Sequence, residues 1–288
     1  PRSTLFPYTT LFRSARLRIP GMPAGVTLPA VMGILNLTND SFYDGGRYIH
    51  EQQWIKQTDK MLSEGASLID LGAASSRPGA REVSEVRETE TIQRAVSVLR
   101  KTFGNILLSI DTYRSKVAKV GLDMGAVMIN DISGGTFDNN MPSLAAQYGV
   151  PFVIMHMKGR PETMQENPEY EDVTEEVKQF FQRQIVSFQI ENHDNLILDP
   201  GFGFGKTLQH NFTLLRNMDT FREIGYPLMA GFSRKSMIYK TLETNPDKAL
   251  NGTTILNTVA VLNGADILRV HDVKEAMEVV RLLHQLIE

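Results

Sequence analysis

GASLID (65–70), GAVMIN (125–130) and GADILR (264–269) are three versions of one short design. In each, Gly ends a helix, Ala turns the corner, three residues run as a strand and a polar residue closes it. Apolar runs of the same texture appear at 30–35, 67–71, 106–110, 127–129, 152–155, 196–198, 228–230 and 267–270. Short runs without polar alternation are the mark of parallel strands buried on both faces. Between them lie charged segments with apolar residues at helical spacing: Ile92, Val96, Leu99 and Phe103; Val173, Val177, Phe180 and Gln184, shifting to Ile185 and Phe188; and Val273, Met277, Val280, Leu283 and Ile287. Such stripes are helix faces laid on a sheet. Eight strands, each with room for a helix after it, predict an α/β fold: a single (β/α)8 TIM barrel, whose usual size is about 250 residues. The competing arrangement is a doubly wound open sheet.

The composition narrows the chemistry. The chain has 288 residues, 42% of them apolar and 22% charged, which excludes a wholly disordered polymer. With 30 Lys+Arg against 33 Asp+Glu it has no global nucleic-acid signature, and no run approaches the ~20 apolar residues of a membrane span. There is no cysteine, so thiol catalysis and thiolate metal sites are excluded and a metal must sit on oxygen or imidazole. These features predict a cytoplasmic protein with neither nucleic-acid nor membrane partners. Residues 1–14 are set apart from the domain at 15–288: the string YTTLFRS (8–14) reads as a translated sequencing adapter, or else as an ordinary disordered tail.

In a barrel of this kind the reactive site is built at the C-terminal ends of the strands. The residues that close the runs are Asn36, Asp70, Asp111, Asn130, His156, Asp199, Ser233 with Arg234 and Lys235, and Arg269 with His271. Singly, each Asp or Asn is more often a helix cap than a ligand contact; together they make a rim of carboxylates, amides and cations. Asp111, Asn130 and Asp199 suit a flat heterocycle bearing N–H donors, and Lys235, Arg77, Arg234, Arg269 and His271 suit phosphate oxygens. The rim therefore predicts a substrate with a ring at one end and phosphate at the other, and no Ser-His-Asp set suggests covalent catalysis.

Some motifs are set aside. DPGFGFGKT (199–207) places three residues between Gly201 and Gly205 where a P-loop needs four, so its glycines are expected to let the sixth β/α loop pass close to a ligand. His50, His193 and His284 read as surface residues, and His210 as structural. His156 reads equally as a hydrogen-bonded floor residue or a ligand contact. Met155, Met157, Met229 and Met237 read as barrel core or pocket wall.

GILNLTNDSFYDGGRY (33–48), DLGAASSRPGA (70–80), SIDTYRSKV (109–117), INDISGG (129–135), VIMHMKG (153–159), LDPGFGFGKTLQHN (198–211), GFSRKSMI (231–238) and LRVHDV (268–273) resemble the dihydropteroate synthase family, from about Val31 to the C-terminus. LTNDSF, SSRPGA and SRKS are the specific parts. The resemblance implies a folate-pathway transferase that joins 7,8-dihydropterin-6-ylmethyl diphosphate to 4-aminobenzoate, giving 7,8-dihydropteroate and diphosphate by a dissociative, SN1-like route. By that analogy Asp111, Asn130, Asp199, Lys235 and Arg269 hold the pterin. Asn36, Arg77, Arg269 and His271 hold the diphosphate, and Asn36 also holds Mg²⁺. Ser76, Pro78, Phe204, Lys235 and Ser236 line the aminobenzoate pocket, which sulfonamides would enter as mimics. Asp111, Asp199, Lys235 and Arg77 are the implied catalytic groups, and a homodimer formed through helices at 251–262 and 273–287 is expected.

The chain departs from the family pattern at Ala73-Ala74, where many members carry Gly-Glu, and at Ser76, where many have Thr. A pterin-dependent methyltransferase barrel is the alternative within enzymes, although it needs no diphosphate clamp. A catalytically silent pterin-binding paralogue is the alternative outside them, although it would be expected to lose the first two loops.

Overall fold

The computed structural model describes residues 18–22, 29–37, 47–74, 83–161 and 163–286. Strands β1 (Ala30–Asn36), β2 (Leu68–Gly72), β3 (Leu108–Asp111), β4 (Met128–Asp131), β5 (Phe152–Met155), β6 (Leu196–Asp199), β7 (Met229–Ala230) and β8 (Ile267–Val270) form one sheet. Its order is β6-β5-β4-β3-β2-β1-β8-β7, with every pairing parallel. The ends of the sheet meet through the Leu198–Leu228 bridge, where the Leu198 amide donates to Pro227 O at 2.8 Å. That contact closes a barrel and excludes the open doubly wound sheet.

Helices α1 (Arg47–Ser63), α2 (Glu85–Phe103), α3 (Ser115–Asp123), α4 (Met141–Tyr148), α5 (Val173–Ile190), α6 (Leu208–Arg216), α7 (Ser236–Thr241), α8 (Leu250–Leu262) and α9 (Val273–Gln285) surround it. None of the described helices is long and apolar enough to cross a membrane. The local signals are visible in the sequence. Ser84 caps α2 by accepting from the Arg87 amide, and Asp172 caps α5 by accepting from those of Thr174 and Glu175. The buried side of α5 is Val173, Val177, Phe181, Ile185 and Phe188. This corrects the expected stripe: Phe181 is fully buried, its neighbour Phe180 is half-buried at the edge of the core, and no shift of phase is needed.

The repeated design works as expected. Gly65, Gly125 and Gly264 all have positive φ (107°, 94° and 92°). The following alanines, Ala66, Ala126 and Ala265, donate back to Met61 O, Gly121 O and Ala260 O at 2.9–3.0 Å. This is the Schellman stop, in which a left-handed residue turns the chain from helix into strand.

Because side chains alternate along a strand, the barrel has two cores. Outward residues pack on the helices. Inward ones, Ala30, Met32, Leu68, Met128, Val153, Ile197, Met229 and Ile267, form a separate apolar plug with Ile19. Two residues further along, the inward positions become Asp70, Asn130, Asp199 and Arg269. The polar mouth is the next layer of the same barrel, stacked directly on an apolar floor.

Candidate active site

The three residues that close the repeated design meet at this layer. Oδ2 of Asp70 accepts from Asn130 Nδ2 at 2.9 Å and from Arg269 Nε at 2.7 Å. Arg269 then reaches Asp111 Oδ2 through Nη2 at 2.6 Å. Asp70 and Asn130 are buried, at 0% and 3% exposure, whereas Asp111 stands half-buried at the end of β3. Gly72 pairs with Asp111 across the sheet, and a Cβ there would lie 3.4 Å from the Asp111 carboxylate. Arg269 is held charged by Asp70 and Asp111 although burial opposes its charge.

Asp199 ends β6 and accepts from the Gly201 amide at 2.7 Å. Lys235 precedes α7; its Nζ donates to Phe202 O at 2.6 Å and lies 4.7 Å from the centroid of the Phe204 ring. Ser236 follows as the first residue of α7. Burial pushes the Asp111 carboxyl up to about 7, with Arg269 opposing and Asp70 adding to the rise. Burial likewise raises Asp199, against the pull of Lys235. Lys235 is pulled down to about 8 by burial and by Arg269, with Asp199 resisting. The acids and the cations thus share one mouth and one field.

His271 leaves β8 with its amide donating to Ser233 Oγ at 3.1 Å and its Nδ1 3.0 Å from the same hydroxyl. Asn36 is exposed at the end of β1. Ser76, Arg77 and Pro78 lie outside the described residues. The second loop re-enters at Val83, whose carbonyl accepts from Arg114 Nη1 at 2.8 Å, and Arg114 is in turn paired with Glu88.

Several expectations change. Arg234 does not join the cationic corner: its guanidinium is bidentate on Asp272 at 2.9 and 3.0 Å and donates to Pro246 O and Asp247 O at 3.3 Å, tying the seventh loop to the eighth. Arg234 also holds a left-handed φ of 55°, uncommon for a residue with a Cβ. Two glycines of the sixth loop make room for the backbone of the fifth. A Cβ on Gly201 would lie 1.9 Å from His156 O, and one on Gly205 2.3 Å from Lys158 O. His193 is buried at 4% exposure instead of lying on the surface. His156 is a floor residue bound to Lys206, and His210 completes a capping box with Thr207 at the start of α6. Sequence reading assigned no role to Lys206, which is buried and bonded to Gly201 O and Phe204 O at 2.9 and 3.0 Å.

Fold and mouth together define a (β/α)8-barrel enzyme whose mouth sets carboxylates and an amide beside lysine, arginine and histidine. The family model described as "Pterin binding enzyme" matches residues 32–271. The chain is 40% identical over 270 residues to the Escherichia coli K12 dihydropteroate synthase, covering 93% of this chain and 95% of that one. It superposes on the Yersinia pestis dihydropteroate synthase solved with a sulfonamide drug, with a TM-score of 0.86, 38% identity, and 94% and 98% of the two chains covered. It also superposes on the Clostridium difficile enzyme solved in the presence of pteroic acid, with a TM-score of 0.84, 35% identity, and coverage of 91% and 97%. The chain belongs to the pterin binding enzymes and, among them, to the dihydropteroate synthases.

Proposed function

We propose that the chain condenses 7,8-dihydropterin-6-ylmethyl diphosphate with 4-aminobenzoate, giving 7,8-dihydropteroate and diphosphate. The observation that supports this reading is the direct contact of Arg269 with Asp111, a cation and a carboxylate of the same mouth, which we assign to the anion and to the ring. Asp111, Asn130 and Asp199 accept from the N–H edge of the ring, beside Lys235. Arg269, His271, Asn36 and Arg77 receive the diphosphate. Phe204, Lys235 and Ser236, with Ser76 and Pro78 of the second loop, hold the arylamine.

The C–O bond at the methylene breaks, and its electron pair leaves with the diphosphate. The amine nitrogen then forms the new C–N bond and releases a proton to solvent. Cations lower the barrier by stabilising charge that grows on the leaving oxygen. Asp111 and Asp199 stabilise the positive charge left on the ring and methylene, and do not act as nucleophiles. The neighbouring loops exclude water, which would otherwise capture that carbon.

Among the described residues no three His, Asp or Glu side chains form a metal cage. The exposed Asn36 amide oxygen is instead a hard single ligand of the kind Mg²⁺ takes when phosphates and water fill its other positions. Asn36 would thus hold Mg²⁺ with the diphosphate, and the ion would neutralise leaving-group charge. We further infer a cytoplasmic protein and a homodimer, the second supported by exposed Ile255 on α8 and Leu282 on α9. Mixing the two substrates tests the activity: diphosphate and dihydropteroate should appear in equal amounts, and only when the arylamine is present. Pterin binding without release would indicate a silent binding protein and overturn the proposal.

A further inference from the structure

We propose that Asp70 is a positioning residue that sets the hydrogen-bond polarity of the ring site, turning Asn130 so that it presents its carbonyl oxygen and anchoring Arg269 by its Nε. The inference rests on the reading that the ring sits at this mouth, and it adds a residue to which neither the motifs nor the family resemblance assigns a role.

Asp70 is 0% exposed, and its side chain is covered by the residues of the mouth that it binds. One oxygen, Oδ2, takes both contacts, from Asn130 Nδ2 and Arg269 Nε, while Oδ1 has no partner among the described residues. A carboxylate buried at such cost persists when its charge is paired and its bonds fix a geometry. An ionised carboxylate only accepts, whereas an amide has one accepting and one donating end. Facing Asp70, Asn130 must turn its nitrogen inward, which leaves its oxygen for the N–H donors of a ring. Were position 70 an amide, the Asn130 side chain could flip, and half of its orientations would set donor against donor.

The same oxygen acts on Arg269. The bond through Nε holds the guanidinium from the floor, and the bond through Nη2 to Asp111 is made at the half-exposed end. A ring arriving at Asp111 competes for the second bond and not for the first. Asp70 therefore keeps Arg269 in the mouth while Asp111 exchanges its partner for the substrate, and donors on Nη1 and Nη2 stay available to an anion.

The test is an exchange of side chains, read by calorimetric binding of the dihydropterin diphosphate without arylamine. Asp70→Asn should weaken binding by about 10- to 100-fold, the scale of one or two charge-assisted hydrogen bonds. The KM for 4-aminobenzoate at saturating pterin should stay within about threefold, a split that general loosening of the barrel would not give. In Asp70→Asn/Asn130→Asp, the amide at 70 donates and the carboxylate at 130 offers only acceptors, so binding should recover by about tenfold over the single variant. Unchanged binding in Asp70→Asn, or a double variant no better than the single, overturns the inference. Should Asp70→Asn fail to fold, the double variant is compared with Asn130→Asp, which places two carboxylates together and should bind more weakly. On the unaltered protein, the Asn130 side-chain NH₂ should exchange slowly with the ring bound, and rapid exchange also overturns the inference. Absence of any pterin binding by the unaltered protein would refute the proposed function instead.

Discussion

Nζ of Lys206 lies 2.9 Å from Nδ1 of His156, and both side chains are buried beneath the sixth loop. Burial, followed by the lysine, holds the imidazole down to about 2, so it is neutral and offers Nδ1 as an acceptor. The lysine spends its other donors on Gly201 O and Phe204 O, which ties the loop carrying the Phe204 ring to the end of β5. Lys206→Met keeps the length of the side chain and removes the donors. Two or three buried acceptors left unpaired should cost about 2–4 kcal/mol of stability, read as a lower urea midpoint at unchanged slope. A midpoint equal to that of the parent would mean that the loop is held by something else.

Gly201 and Gly149 have nearly the same φ, 67° and 63°, but different surroundings. A methyl group on Gly149 meets nothing within 4 Å, whereas on Gly201 it would lie 1.9 Å from His156 O. Gly149→Ala should therefore cost about 1–2 kcal/mol, the price of a left-handed residue with a Cβ. Gly201→Ala must also move one of two backbones and should cost at least twice as much. Thermal unfolding of the pair decides the matter, since equal shifts would show that the close approach carries no energy.

Much of this architecture was legible because burial on both faces leaves strands almost no freedom of composition. The runs at 152–155 and 267–270 coincide with β5 and β8, and the other runs lie within two residues of their strands. The mouth was legible because the last inward residue of a strand must leave the apolar plug, which exposes Asp70, Asp111, Asn130, Asp199 and Arg269 as its polar endings. What escaped was set by partners distant in sequence. Arg234 reads as a free cation until Asp272, 38 positions away, takes it out of the mouth. Phe180 and Phe181 are equally apolar neighbours, and only the packing of α5 on the barrel makes the second the fully buried one. His193 is polar in a charged stretch, yet the chain re-entering β6 folds it inward. The assigned roles of Ser76, Arg77 and Pro78 fall outside the described residues and stay with the proposed function.

Asp199 carries a prediction with a clear scale. Its carboxylate is 4% exposed, oriented by the Gly201 amide, and raised by burial, so it is a poorly hydrated acceptor. Asp199→Asn preserves the shape but turns the proposed charge-assisted contact with the ring into a neutral one. The expected loss is about 2–3 kcal/mol, roughly 30- to 150-fold in kcat/KM for the pterin substrate. A steady-state value within a few-fold of the parent would remove Asp199 from the ring site.

The dependence on pH follows from Asp111 and Lys235 acting in opposite directions. On the proposed reading Asp111 gives the ring a charge-assisted acceptor only when ionised, and burial has moved its carboxyl to about 7. Lys235 stabilises only when protonated, and burial has moved it to about 8. In the free enzyme kcat/KM for the pterin substrate should therefore peak narrowly between about 7 and 8, falling on the acid side as Asp111 gains its proton and on the alkaline side as Lys235 loses its own. Stability runs the other way. The folded Asp111 binds its proton more tightly than the unfolded one, so its contribution is full below about 4 and is lost as pH rises to about 7. The folded Lys235 binds its proton more weakly, so stability rises with pH from about 8 to above 10. The most active pH is thus the one at which these two groups support the fold least. A kcat/KM profile measured beside urea unfolding at the same pH values checks both signs. Asp111→Asn should abolish the acid limb of the profile and, at pH 7.5, raise stability relative to pH 4. An acid limb unchanged in that variant would place the titration elsewhere.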